Sequence, residues 1–326
     1  MRRRIIFLVC LTFCPVAPLH AWNDTGHKIV GLLVYERLTP AARSNADALL
    51  LAHPHHAALL AKNAPADADL KLWVFLTAST WPDLVRPAFG PNRKPEEITK
   101  YHRGDWHYLN IPYIWPADTA RFATAQLPTG GELLNAIARC RQILGNRSQP
   151  AAERAVHLAW LLHLVEDLHQ PLHSSAMYSA RTMKGDQGGN LVAVRRGNGV
   201  VKLHSYWDGA LGSGESLKFI REIAGELRRE HLQDARKSLP ELAQAITPDA
   251  WIKESYAAAI ETAYAKGRLE WRAWDDWEKK DKTGLKATDF PAIDPDYAIN
   301  ARVVARRRAA LAAVRLADLL NELLKQ

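Results

Sequence analysis

Apolar residues recur at intervals of three and four along most of this sequence, the spacing of one helix face. Residues 26–38 carry the pattern first. Thr39-Pro40 then opens a second helix, a cap followed by Pro at the first helical position. Further helices are predicted over 131–144 and from Pro150 to about residue 170, where Pro171 stops the run. Three more follow over 213–232, 236–246 and 248–266, and Asp294-Pro295 opens a last one reaching about residue 324. One segment departs from the pattern. Residues 191–203 are β-branched and interrupted by Gly197-Asn198-Gly199, a hairpin signal. Residues 87–95 read as a loop, and no internal repeat or low-complexity tract is present. The fold class expected is all-α, a single multi-helix domain with a small β-hairpin insertion.

Composition sharpens this picture at the N-terminus. Arg2, Arg3 and Arg4 precede an apolar run, 5–14, too short to span a bilayer, and Leu19-His20-Ala21 ends in a small residue. Residues 1–21 therefore read as a cleaved secretory signal and 22–326 as the mature domain. Phe13 before Cys14 is too bulky for a lipoprotein signal, and no later segment is long and apolar enough to cross a membrane. A secreted or periplasmic location follows, with no stable membrane association. Removing three arginines leaves 40 basic residues against 35 acidic, a net charge of +5 that suits a polyanionic partner. Cys10 and Cys14 leave with the signal, so Cys140 has no internal partner for a disulfide. An exported chain without disulfides points to a bacterial source, and to a large core and bound metal as its means of stability.

Thirteen histidines direct attention to metal-ligand spacing. The densest cluster is HLVEDLHQPLH, residues 163–173. His163 and Asp167 stand four apart and share one helix face, so an imidazole and a carboxylate can close on one ion. Pro171 ends the helix, so His173 leaves in a new direction and can reach a different ion. His169 lies on another face and is assigned to packing or support. His204 and Asp208 repeat the spacing of four just after the hairpin. Upstream stand Asp83 in TWPD, His107 in DWHYLN and His27 in WNDTGH. Each of these alone is as readily a turn, a core or a surface residue. Two spaced pairs together with His173 tip the reading toward metal.

In order, these pieces resemble the S1/P1 nuclease family. That family starts its mature chain with Trp, follows with Gly-His, and then carries Trp-x-Asp, an aromatic-flanked His, His-x3-Asp-x-His-Gln-Pro-x-His, Gly-Gly-Asn and His-x3-Asp. All are present here between Trp22 and Asp208. The resemblance implies the phospholipase C/P1 nuclease fold and three Zn2+ per chain. Asp83, His107, His163 and Asp167 would hold the first ion. The α-amine and carbonyl of Trp22, with His27 and Asp167, would hold its close partner, so that Asp167 bridges. His173, His204 and Asp208 would hold the third.

The activity implied is endonucleolytic hydrolysis of single-stranded DNA and RNA, with 3′-nucleotidase activity and 5′-phosphate products. The nucleophile would be a hydroxide bridging the close pair. Arg86 stands where the family tends to have lysine and would neutralise phosphoryl charge. Asn190 matches the family's base-contacting Asn, and Gly189 lets a base approach the backbone. Tyr108 would stack on the base. Asn110 stands where the family often has Asp, which leaves the base preference open. No protein partner is implied. A zinc phospholipase C is the alternative enzyme, disfavoured by His-x3-Asp where that enzyme has His-x3-Glu. A secreted zinc- or nucleic-acid-binding protein without catalysis is the second alternative. The charged, Trp-rich segment 270–282 receives no function from the sequence.

Overall fold

The computed structural model describes residues 22–87, 96 and 100–325. The expected signal, 1–21, and residues 88–95 of the expected loop lie outside the described residues. Asn23 caps α1 (Asp24–Arg37) by accepting the Gly26 N–H, and Thr39 caps α2 (Pro40–Leu51), as its Thr-Pro start requires. A helix the hydrophobic pattern did not reveal follows, α3 (Leu70–Leu84). It is buried on every side from Trp73 to Asp83, so its apolar residues show no single stripe. Pro82 falls inside it, close enough to the C-terminal end that the lost N–H costs little continuity.

Next come α4 (Leu133–Gly145) and α5 (Ala151–Leu168). Every residue of α5 from Ala155 to Leu168 is buried, and this helix is the axis of the molecule. It packs on α1 to α4 and on the C-terminal helix. Two further elements are α6 (Leu203–Asp208) and α7 (Leu217–Leu227), the latter continued by a wide turn, Arg228–Leu232. The predicted 236–246 helix is two short turns, Ala235–Ser238 and Glu241–Gln244, separated at Leu239-Pro240. Beyond it lie α8 (Pro248–Ala258), which widens at Ala259–Ala263, and α9 (Pro295–Leu323).

The hairpin forms where expected, with β3 (Val192–Arg196) antiparallel to β4 (Gly199–Lys202). Two features were not foreseen. A short parallel pair joins β1 (Ile111–Ile114) to β2 (Ser175–Tyr178), in register Ile111 with Ser175. A third strand, β5 (Arg272–Ala273), adds to β3 from the Trp-rich segment, so that this segment completes the sheet beside Asn190. The molecule is mainly helical with small β additions.

Most of the core lies around α1, α3, α5 and α9. A second apolar cluster, including Leu172, Val192, Val194, Leu203, Trp207 and Tyr264, sits under the hairpin. The C-terminal third fastens the end of α5. Ser255 Oγ bonds the Leu168 carbonyl at 2.5 Å, and Arg308 Nε donates to the His169 carbonyl at 3.3 Å. Arg315 donates to His169 Nε2 at 3.0 Å. Cations placed on the last carbonyls of a helix also meet the negative end of its dipole. Glu254 pairs with both arginines, at 2.7 Å from each. Removing a carboxylate that neutralises two buried guanidinium groups leaves uncompensated charge. Glu254→Ala should therefore lower unfolding free energy by about 3 kcal/mol, read as a reduced denaturation midpoint at unchanged m value.

Candidate metal centre

Two turns of α5 and the turn after it deliver most of the centre. His163 and Asp167 face inward on α5, and both are fully buried. His163 Nδ1 donates to the Ser79 carbonyl of α3 at 2.8 Å, which leaves Nε2 with a lone pair. That Nε2 lies 3.2 Å from Asp167 Oδ2, 3.7 Å from Asp83 Oδ1 and 2.9 Å from His107 Nδ1. His107 Nδ1 stands 3.0 Å from Asp167 Oδ2 and 3.9 Å from Asp83 Oδ1. Donor atoms about 2.1 Å from a tetrahedral ion stand roughly 3.4 Å apart, so these five separations bracket that edge length. Two carboxylate oxygens and two imidazole nitrogens brought this close could hold a metal ion, and the set is one that zinc accepts.

Asp167 has a second side. Its Oδ1 lies 3.5 Å from His27 Nε2, while Oδ2 serves the group just described. His27 stacks on His163, ring centroids 4.2 Å apart, and its Nδ1 donates to the Glu166 carboxylate. Trp22 is fully buried, with its indole N–H on the Glu166 carbonyl at 3.1 Å. The start of the described chain is thereby held beside His27.

The third group comes from the turn and the hairpin exit. His173 Nδ1 donates to the His107 carbonyl at 2.6 Å, and His204 Nδ1 to the Gly188 carbonyl at 2.6 Å. His204 Nε2 stands 3.6 Å from Asp208 Oδ2, and with His173 these residues bring three donors within metal-site spacing. Asp208 Oδ2 and His173 Nε2 are buried without a hydrogen-bond partner. Gln170 donates to Asp208 Oδ1 at 2.7 Å and aims the other oxygen into the group. Burial drives the His204 imidazole down to about 4 and holds His107 and His173 well below the usual histidine range. Neutral rings at neutral pH are the state that ligates a metal.

Arg86 pairs with Asp83 Oδ1 at 2.8 Å, on the edge of the centre. Tyr108 and Asn110 follow His107 and are half-buried. The Leu109 N–H between them donates to the His173 carbonyl at 2.8 Å, so one extended stretch links two groups. His169 faces away from the donors, its ring between the Val165 carbonyl and Arg315.

The Gly-Gly-Asn segment shows why its glycines are needed. Gly188 and Gly189 hold positive φ, +62° and +82°. A Cβ on Gly188 would stand 2.3 Å from the Leu172 carbonyl oxygen, and one on Gly189 3.1 Å from the His204 amide. The close approach is thus to the protein's own backbone, and it seats His204. Asn190 donates from Nδ2 to the Gln187 carbonyl at 2.8 Å, the turn geometry at the hairpin entrance.

Three supporting residues escaped the sequence reading. Glu166 stands three from His163 and one before Asp167, outside the spacing of four that the donor pairs share. Gln170 lies inside the same motif. Asp186 is fully buried, accepts from the Met177 and Gly189 amides and the Tyr264 hydroxyl, and is pushed up to about 7 by burial. An Asp two residues before Gly-Gly is a turn signal that could have exposed it.

On fold and donor set the chain belongs among helical proteins with clustered imidazole and carboxylate groups suited to metal ions. The S1/P1 Nuclease family model matches residues 22–325, and the chain belongs to the S1/P1 nuclease family. It is also 27% identical over 176 residues to Endonuclease 4 of Arabidopsis thaliana, a match covering 51% of this chain and 50% of that protein. The chain thus spans about half the length of the curated relative it matches.

Gly188→Ala tests the seating of His204. Strain at positive φ and the clash with Leu172 should cost on the order of 1–3 kcal/mol. His204 should also be displaced. Metal titration should then show weakening confined to the His173–His204–Asp208 group.

Proposed function

We propose that this protein is an exported zinc-dependent phosphodiesterase that cleaves single-stranded DNA and RNA, leaving 5′-phosphates, and also acts on 3′-nucleotides. The observation that carries the reading is the two-sided use of Asp167, with one oxygen toward His27 and the other toward His107 and His163. That is the arrangement expected of a carboxylate shared by two ions. Family membership supplies nucleic acid as the substrate class. Zinc bound there supplies Lewis acidity and brings the pKa of coordinated water to about 7, so water becomes a nucleophile at neutral pH.

The chain's own residues do the rest. Asp83, His107, His163 and Asp167 would hold one ion, and His27, Asp167 and the amine and carbonyl of Trp22 would hold its neighbour. His173, His204 and Asp208 would hold a third, which would supply further Lewis acidity for a phosphate group. Arg86 balances phosphoryl charge from beside Asp83. Tyr108 offers a ring for a base, and Asn190 and Asn110 offer amides for its edge. A base gripped by stacking and by its edge must be unpaired, which gives the preference for single strands.

Cleavage after Ala21 is part of the mechanism, because an amide nitrogen has no available lone pair and a free α-amine does. A form carrying Met before Trp22 should bind fewer zinc ions and lose nearly all activity, with the start verified by mass. Full activity and three zinc ions in that form would refute the N-terminal ligand.

Elemental analysis should give three zinc ions in the processed wild type, and chelation should abolish hydrolysis and lower the melting temperature. Asp167→Asn should reduce turnover more than Asp208→Asn, since it disturbs two ions rather than one. Asn190→Ala should weaken affinity for oligonucleotides more than hydrolysis of a base-free phosphodiester. Side-by-side assays on single-stranded DNA, RNA, 3′-mononucleotides and phosphatidylcholine decide between this reading and a phospholipase.

A further inference from the structure

Glu166 is fully buried, one residue before Asp167. Two contacts define its surroundings. Its carboxylate accepts from His27 Nδ1, and its backbone carbonyl accepts the Trp22 indole N–H at 3.1 Å. Its other carboxylate oxygen, Oε1, is buried without a hydrogen-bond partner.

An acid is a costly choice for such a position if the role is only to accept a hydrogen bond. A buried carboxylate needs a positive counterpart, and a neutral amide would accept the imidazole N–H without that requirement. The counterpart is reached through the ring: a carboxylate on one imidazole nitrogen makes the other a stronger donor toward a cation. Stacking on His163 and the bond to Glu166 together fix the His27 ring, so that Nε2 faces Asp167 Oδ1.

We propose that Glu166 is the positioning residue for one ion of the close pair, gripping both of its otherwise unrelated donors: His27 by its carboxylate and Trp22 by its carbonyl. The inference rests on the metal reading given under Proposed function. It assigns Glu166 a role that neither the other ion of the pair nor the third ion shares. Since the carbonyl grip on Trp22 survives substitution, side-chain variants isolate the grip on His27.

The test is a zinc titration of the processed protein against a chromophoric chelator, for wild type, Glu166→Gln and Glu166→Ala. One ion of three should weaken by 10–100-fold in Glu166→Ala, the usual consequence of losing a partner behind a ligating histidine. The loss in Glu166→Gln should be smaller, because the amide oxygen still accepts from His27. Melting temperatures separate this from a packing role. Without zinc, Glu166→Gln should melt no lower than wild type, since the amide matches the carboxyl in shape and its oxygen still accepts from His27; with zinc it should melt lower. Wild-type affinity at all three sites in both variants would overturn the proposal. So would uniform weakening of all ions with a lower melting temperature in the zinc-free protein. A wild-type chain that binds no zinc would overturn the parent reading, and this one with it, before any variant is compared.

Discussion

Asp83, Glu166, Asp167 and Asp208 are all withdrawn from water within a short distance of one another, and the design of the molecule follows from that constraint. Buried carboxylates repel, and each costs several kcal/mol in lost hydration unless a cation or a set of donors compensates. Arg86 answers for part of Asp83 and Gln170 for part of Asp208. Among the described residues imidazoles face these carboxylates too, but their N–H groups are mostly turned outward. His163 spends its proton on the Ser79 carbonyl, His173 on the His107 carbonyl, and His204 on the Gly188 carbonyl. Lone pairs and anionic oxygens therefore converge, a pattern that attracts positive charge and suits a divalent cation.

Holding such a cluster together requires rigid support from several directions. The helix α5 presents His163 and Asp167 from one rigid rod, and its termination at Pro171 sends His173 elsewhere. The parallel β1–β2 pair runs just downstream of His107 and His173 and locks the two segments in register. The C-terminal third, which carries none of the proposed ligands, fastens the end of α5 through Ser255, Arg308 and Arg315. A shift of α5 by a fraction of an ångström would move donors from three groups at once. The buried arginines thus act on the centre without touching it.

Much of this was legible in the sequence because the chemistry is periodic. The spacing of four in His163–Asp167 and His204–Asp208 survives folding on helices α5 and α6, so reading it requires no tertiary information. Helix starts at Thr39-Pro40 and Asp294-Pro295 were equally local. What was not legible depends on the third dimension. Helix α3 is apolar on all sides because it is wrapped by other helices, and a stripe search has nothing to find there. The two short turns at 235–244 carry helical composition that Pro240 overrides. Glu166 has no periodic signature, since its partner His27 lies 139 residues away. The Trp-rich segment drew attention by composition. Its tie to the fold, the pairing of Ala273 with Val192 and the Trp274 amide on the Leu191 carbonyl, is a backbone matter that side-chain types do not announce.

Clustered acids and an absence of disulfide chemistry bear on each other. Residues 22–326 contain one cysteine, Cys140, buried in the core, so no covalent link restrains the unfolded chain. The core is large, but it encloses carboxylates whose mutual repulsion works against folding. A ligand that binds only the folded centre stabilises it in proportion to its affinity and concentration. For such a chain a cation between the carboxylates, on the proposed reading, would be a catalyst's working part and also the compensation that lets those acids be buried. The linkage also orders events at the N-terminus. Trp22 packs on Glu166, and the Asn23 amide bonds the Asp208 carbonyl at 3.1 Å, so the first residues of the domain bridge two of the donor groups. On the proposed reading, removal of the leader converts a backbone amide at that bridge into a metal-binding amine. Maturation, ion capture and the final tightening of the centre would then be one coupled process rather than three separate steps.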